Sequence, residues 1–359
     1  MKFGVNLHPT IKGQQFSSAQ KTYLAQFLGR LNASANLVMD DWNSALAYKQ
    51  MMPKNIVVFR KFHPREGDLW SLLTPEQWHE GMRAYTDPNI VLYCINEPST
   101  YVLKEDMAKK IKWLVRVIEL FGNEGNSLVV DNVGTGHYDY TWFTDPEKWA
   151  IIEPLFAALK KYPRMFWGCH EYFSYRGLEI GNGRVGRHAE MYKYLKAKGY
   201  EPPLLLTEVG CDQIDDSGKR GFKNSMTENQ YAAALTDAQR STWYAPYIKG
   251  AMIYSYGSST TEWETFDISD SLVLHAVLIA ANAVTSIPEP TPPPTPPPEP
   301  VPVPPTPPTT DTALQRMIKA LDEIDAHEAA VAEHYAAIEV LRAELKRLAN
   351  LHRAFADAA

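Results

Sequence analysis

The feature that most constrains this chain is a beat repeated through residues 1–286. Short, β-rich apolar runs occupy 2–7, 35–40, 55–60, 90–96, 127–133, 165–172, 204–209 and 250–256. Helical stretches fall between them, among them 17–31, 104–121, 185–198 and 228–243, and one more at 271–284 closes the series. Several runs are apolar without interruption, as expected of strands covered on both faces. Strands alternating with helices predict βα units and a parallel sheet. Eight such units predict a closed (β/α)8 TIM barrel rather than an open doubly wound sheet. No GxGxxG or P-loop follows any run, which argues against a nucleotide at a sheet switch point.

Composition breaks sharply after residue 286. Fourteen of the 21 residues from 288 to 308 are proline. Proline lacks the backbone N–H and has a fixed φ, so this stretch favours extended polyproline II and reads as a linker over 287–310. Residues 311–359 are rich in Ala, Glu, Leu, Arg and Lys. Leu314, Met317, Leu321, Ile324 and Val331 follow 3–4 spacing, and Ile338, Leu341, Leu345 and Leu348 resume it after a slip near His334. That pattern predicts a helical hairpin or coiled coil, a candidate for homo-oligomerisation through 311–359. The chain therefore divides into a barrel at 1–286, a linker and a helical appendage.

Bulk properties exclude some functions. The formal net charge is -6 and no basic run is present, so a nucleic-acid partner is not expected. No apolar run approaches the ~18 residues of a membrane span. Cys94, Cys169 and Cys211 fit no zinc or redox spacing and read as buried thiols. The N-terminal MKFGVNLHPT lacks the apolar core of a secretory signal. Location is left open by these features, with extracellular or virion-associated action among the settings considered.

In a barrel, side chains at the C-terminal strand ends converge on one cleft. The fourth run ends Asn96-Glu97-Pro98, the sixth His170-Glu171-Tyr172, and the seventh Thr207-Glu208-Val209-Gly210. Two facing carboxylates are what glycoside hydrolysis needs: one protonates the leaving oxygen, the other attacks the anomeric carbon or activates water. His170 and Tyr172 share strand parity, so Glu171 between them should face the helices. The structural alternatives are a helix-capping role for Glu97, a buried ion pair for Glu208, a turn role for Asn96 and a satisfied core histidine at His170.

These runs resemble the clan A retaining glycoside hydrolases, most closely the family 5 cellulase and mannanase group. Asn96-Glu97-Pro98 is similar to the clan's strand-four Asn-Glu, His170-Glu171-Tyr172 to its strand-six His-x-Tyr, Leu206-Thr207-Glu208-Val209-Gly210 to its strand-seven nucleophile setting, and Gly4-Val5-Asn6 to its strand-one start. The resemblance covers about residues 3–286. It implies Glu97 as acid/base, Glu208 as nucleophile, Asn96 on the sugar 2-hydroxyl and Tyr172 supporting Glu208, with retention of configuration and carboxyls about 5–5.5 Å apart. It implies no metal and no cofactor. Two departures stand out. The clan's strand-two Arg is absent, and Arg60, followed by His63, is the nearest substitute. The strand-eight Trp is absent too, so Tyr256 or Trp263 is expected to floor the sugar site. Trp42, and Trp142 in an aromatic-dense loop, are expected to line subsites, because aromatic faces pack well on sugar C–H faces.

The expected activity is cleavage of a β-linked polysaccharide or oligosaccharide. Two other readings remain: a non-catalytic polysaccharide-binding barrel carried on an oligomeric assembly, suggested by the strand-eight departure, and a phage-type hydrolase of cell-wall glycan.

Overall fold

The computed structural model describes residues 3–8, 10–11, 14–31, 33–98, 103–173, 185–212, 220–258 and 263–269. Eight strands form the barrel: β1 Phe3–Leu7, β2 Ala35–Met39, β3 Ile56–Arg60, β4 Ile90–Cys94, β5 Ser127–Val133, β6 Met165–Phe173, β7 Leu204–Cys211 and β8 Ile248–Tyr256. All neighbouring pairs are parallel, and β1 closes on β8. This is the predicted (β/α)8 barrel. The predicted strand runs and the observed strands agree to within two residues at each end. A small hairpin of Thr10–Ile11 and Gln14–Gln15 follows β1.

The longer helices are α1 Ser18–Leu31, α2 Trp42–Met51, α3 Pro75–Met82, α4 Lys104–Asn123, α5 Pro146–Lys161, α6 Arg187–Ala197 and α7 Glu228–Ser241. Their starts follow from local chemistry. Thr74 and Thr227 each form a capping box with a Gln three residues on, and the Asp41 and Asp145 carboxylates accept from the free amides of α2 and α5. The predicted helix at 271–284, the linker at 287–310 and the coiled-coil segment at 311–359, with its oligomerisation, lie outside the described residues. Among the described residues no helix is long and apolar enough to cross a membrane. The three cysteines are free and buried.

Strand parity sorts the apolar residues into two layers. Leu37, Met39, Val58, Val91, Val129, Leu205 and Met252 fill the barrel interior. Val5, Phe59, Leu92, Val130, Trp167, Leu206 and Ile253 pack outward under the helices. Each fully buried side chain of this size stabilises the fold by about 1.5–3 kcal/mol.

A charged pair is buried in the outer layer. Lys110 on α4 reaches Asp131 on β5, Nζ to Oδ1 at 2.7 Å, and both side chains are fully enclosed. The Tyr138 hydroxyl donates to the other Asp131 oxygen at 2.6 Å. Removing one partner of such a pair leaves a buried charge uncompensated, which costs about 3–5 kcal/mol. Lys110→Met should therefore lower the unfolding free energy by that order in urea titrations, and adding Asp131→Asn should recover most of the loss. Equal destabilisation by single and double variants would contradict the pairing.

Candidate active site

The C-terminal end of the barrel gathers six of the residues singled out from the sequence: Arg60, Asn96, Glu97, His170, Tyr172 and Glu208. Two local distortions aim the carboxylates. In β7, Leu206 pairs with Cys169 of β6, and Glu208 pairs with the next β6 residue, His170. The β8 side shows the same slip, with Leu206 on Ala251 and Val209 on Ile253. One extra residue is thus accommodated at Thr207-Glu208, a bulge that turns both side chains inward. In the turn after β4, Ile95 and Glu97 both have positive φ, +60° and +41°. A left-handed β-branched residue is strained by about 1–3 kcal/mol, and surrounding bonds must hold it there.

Glu208 is nearly out of water, with its side chain 9% exposed. Each of its oxygens has a donor. Arg60 Nη1 reaches Oε1 at 2.8 Å, and the Tyr172 hydroxyl reaches Oε2 at 2.8 Å. Arg60 is itself fixed by Glu66, which accepts from Nε at 3.2 Å and from Nη2, and by the Tyr93 ring, 4.9 Å from the guanidinium carbon. Burial works against the Arg60 charge, but Tyr93, Glu66 and Glu208 outweigh it and lift its pKa well above the usual value. Burial, aided by the Glu208 charge, pushes the Tyr172 hydroxyl far above its ordinary pKa, so it remains a donor.

Glu97 is the wetter carboxylate, with its side chain 50% exposed. His170 stands between the two acids. Its Nδ1 is 2.9 Å from Glu97 Oε1 and 3.4 Å from Glu208 Oε2, and its Nε2 meets the Tyr93 hydroxyl at 3.1 Å. Burial disfavours the imidazolium, but the charges of Glu208 and Glu97 and the Glu97 hydrogen bond prevail and raise the His170 pKa. For Glu97 the balance is reversed. Burial pushes the carboxyl up, but the His170 hydrogen bond and charge, with Arg60 and Arg220, hold it below the ordinary glutamate value. Asn96 Oδ1 accepts from the Tyr93 hydroxyl at 2.6 Å, and its Nδ2 has no partner among the described residues.

The aromatic expectations need correction. Trp142 is buried, not a subsite wall. The loop around it turns inward because Tyr138 bonds to the buried Asp131, and Trp142 packs edge-on against Tyr138. Trp42 packs edge-on against Phe59 and Tyr85 in the outer layer, away from the inward-facing Arg60. Tyr256 does not floor the site. Between Val5 and Leu7 of β1, the partner on β8 advances from Ile253 to Tyr256, and the extra residue turns Tyr256 outward to stack on Phe16. Tyr254 faces the cleft instead, clustered with Tyr172, Phe266 and Trp263. Trp263, expected from sequence, stands edge-on to Tyr254 at 5.8 Å and lies under Arg220, 5.3 Å from the guanidinium carbon. His63 is exposed, its Nδ1 accepting from the Arg65 amide, and no contact joins it to the carboxylates among the described residues. Glu171 faces the helices as its parity requires, accepting from His188, the Gly186 amide and Trp243.

Several groups at the site carry no sequence signal that the strand-end pattern would catch. Glu66 and Tyr93 act through Arg60, His170 and Asn96. Arg220 pairs with Asp212 at 2.7 Å on the rim. His8, at the end of β1, is buried edge-on against Tyr254, and burial together with the Arg60 charge depresses its pKa to about 3, so its ring is neutral. The His-Pro pair after strand one was the available hint. Among the described residues no His/Cys/Asp/Glu cluster is arranged to hold a metal.

No family model matches the chain, and no curated protein matches it. The fold does match solved structures. A GH2 β-galacturonidase from Eisenbergiella tayi, bound to galacturonate, aligns with a TM-score of 0.51 at 13% identity, over 79% of this chain and 51% of that one. A GH128 endo-β-1,3-glucanase from Amycolatopsis mediterranei, in complex with laminaritriose, aligns at 0.46 with 16% identity, over 78% and 99%. An endo-β-1,4-mannanase from Thermotoga petrophila aligns at 0.46 with 11% identity, over 80% and 78%. At these identities the likeness is one of fold, which the first alignment carries.

The electrostatic assignment is directly testable. In His170→Ala the Glu97 carboxyl loses both its donor and the neighbouring positive charge, so its titration should move upward. A 13C NMR pH titration of labelled Glu side chains reads this, and an unchanged Glu97 midpoint would assign the depression to Arg60 and Arg220 instead.

Proposed function

We propose that this chain is a retaining β-glycoside hydrolase that cleaves a β-linked polysaccharide or oligosaccharide by double displacement. The observation that carries the reading is the meeting of two carboxyls at one imidazole nitrogen. Because Glu97 and Glu208 both reach His170 Nδ1, at 2.9 and 3.4 Å, their nearest oxygens are at most about 6.3 Å apart, which is compatible with the ~5–5.5 Å of retaining pairs and below the ~6.5–9.5 Å of inverting ones. The galacturonidase is a neighbour in fold, and fold alone does not decide chemistry.

In this mechanism Glu208 Oε attacks the anomeric carbon as the bond to the leaving oxygen breaks, and Glu97 delivers a proton to that oxygen. Glu97 then takes a proton from water, whose oxygen displaces Glu208 and restores the original configuration. Arg60 and Tyr172 orient the attacking carboxylate. The proton needed by Glu97 is held on the Glu97–His170 pair, where the raised imidazole and the depressed carboxyl share one hydrogen bond. A sugar covering the exposed half of Glu97 removes water from it, which favours the neutral acid and draws the proton across. Asn96 Nδ2 is free to donate to the sugar 2-hydroxyl, and Tyr254 with Trp263 offers apolar ring surface in place of the absent strand-eight Trp.

Wild type should hydrolyse members of a panel of aryl β-glycosides and soluble β-glycans, with Glu97→Ala and Glu208→Ala each losing at least about 10²–10⁴-fold in kcat/KM. NMR of the first-formed sugar should show the β-anomer. Inverted product would replace double displacement with single displacement. Glycan binding without cleavage by wild type would favour the non-catalytic barrel.

A further inference from the structure

The kinked end of β4 and the bulge of β7 lie on separate strands, yet one buried side chain ties them together. Asn132 on β5 is fully enclosed. Its Nδ2 donates to Cys94 O at 3.0 Å and to Ile95 O at 2.7 Å, the two carbonyls just before Asn96-Glu97. Its Oδ1 accepts from Thr207 Oγ1 at 3.1 Å, the side chain just before Glu208. Its backbone carbonyl accepts from the Glu97 amide at 3.2 Å. The amide group is thus fully used: both carbonyl bonds brace the left-handed Ile95, and the third bond reaches the bulged strand.

Two glycines make room for this arrangement. A Cβ on Gly168 of β6 would lie 2.0 Å from Asn132 Oδ1 and 2.6 Å from its Cγ, so only glycine lets the amide pass between β5 and β6 to Thr207. A Cβ on Gly67 would lie 2.9 Å from Asn96 O and 3.0 Å from Glu97 O, so the loop after β3 closes on the same kink from the other side.

We propose that Asn132 is a positioning residue, which sets the relative aim of Glu97 and Glu208 by tying the turn after β4 to the bulge of β7. The proposal rests on reading those two glutamates as the catalytic pair. None of the Asn132 hydrogen bonds goes to either carboxylate, so it acts through the segments that carry them. Its hold is unequal: three bonds fix the Glu97 segment, one side-chain bond fixes the Glu208 segment. Loss of the amide therefore disturbs proton delivery more than nucleophilic attack. A misplacement of about 1 Å costs on the order of 10²-fold in rate.

The test compares aryl β-glycosides whose leaving groups differ in their need for a proton: 2,4-dinitrophenyl, 4-nitrophenyl and phenyl. Asn132→Ala should lower kcat/KM on the phenyl glycoside by about 10²-fold and on the dinitrophenyl glycoside far less, since kcat/KM reports the step in which the leaving oxygen is protonated. Gly168→Ala, which pushes the amide from behind, should produce the same leaving-group dependence, and Thr207→Val, which leaves both amide bonds to the turn after β4 in place, should not. A uniform loss of kcat/KM on all three glycosides, as partial misfolding gives, overturns the proposal, and so does unchanged kcat/KM on the phenyl glycoside. If wild type cleaves none of them, the hydrolase reading falls, and crystal structures of wild type and Asn132→Ala then decide the positioning role. An unchanged Glu97–Glu208 separation overturns it, and a widened one supports it.

Discussion

A carboxylate held almost out of water is tolerated only when its oxygens are met by donors, and Glu208 sets that condition for the whole cleft. Arg60 and Tyr172 meet it. Arg60 in turn needs Glu66 and the Tyr93 ring, and Tyr93 links onward to His170 and Asn96. The chain of dependence runs through β3, β4, β6 and β7, so the barrel must be closed before any part of it is in place. A buried network of this kind is costly when incomplete, because each unpaired member is left in a low dielectric.

The price of aiming these groups is local distortion. A regular strand alternates its faces, so it cannot turn Thr207 and Glu208 inward together, nor hold Tyr254 in the cleft while sending Tyr256 to the helices. One extra residue in β7 and one in β8 break the alternation. After β4 the same end is reached with positive φ at Ile95 and Glu97 rather than with glycine. Glycine is used where space is the limit: beside Asn132, beneath the Glu97 carbonyl, and at Gly134, where a Cβ would lie 3.2 Å from the Glu97 carboxylate.

How legible the molecule was in its sequence follows from these distortions. The eight strands were readable because each is a short β-rich apolar run, several of them uninterrupted, with helical sequence between them. Glu97, His170, Tyr172 and Glu208 were readable because ionisable or phenolic groups close such runs, and parity separated Glu171 from its neighbours. Tyr256 stands where the clan's strand-eight Trp would be expected, but a bulge that no residue announces turns it outward. An aromatic-rich loop reads as a cleft wall, but the Tyr138 bond to the Asp131–Lys110 pair, formed by residues 21 apart, draws Trp142 inward. Glu66, Tyr93 and Asn132 reach the site through contacts made only when the ring of strands closes, and local pattern carries no record of them.

Strand β6 carries two polar networks back to back. His170 and Tyr172 face the cleft, while Glu171 between them binds His188, Trp243 and the Gly186 amide among the helices. Among the described residues the two networks share no side-chain atom, and the peptide backbone of three residues joins them. The strand is in effect an insulating wall: the inner face can be altered while the outer face goes on anchoring α6 and the segment after α7, so the fold and the cleft of this protein are free to diverge at different rates.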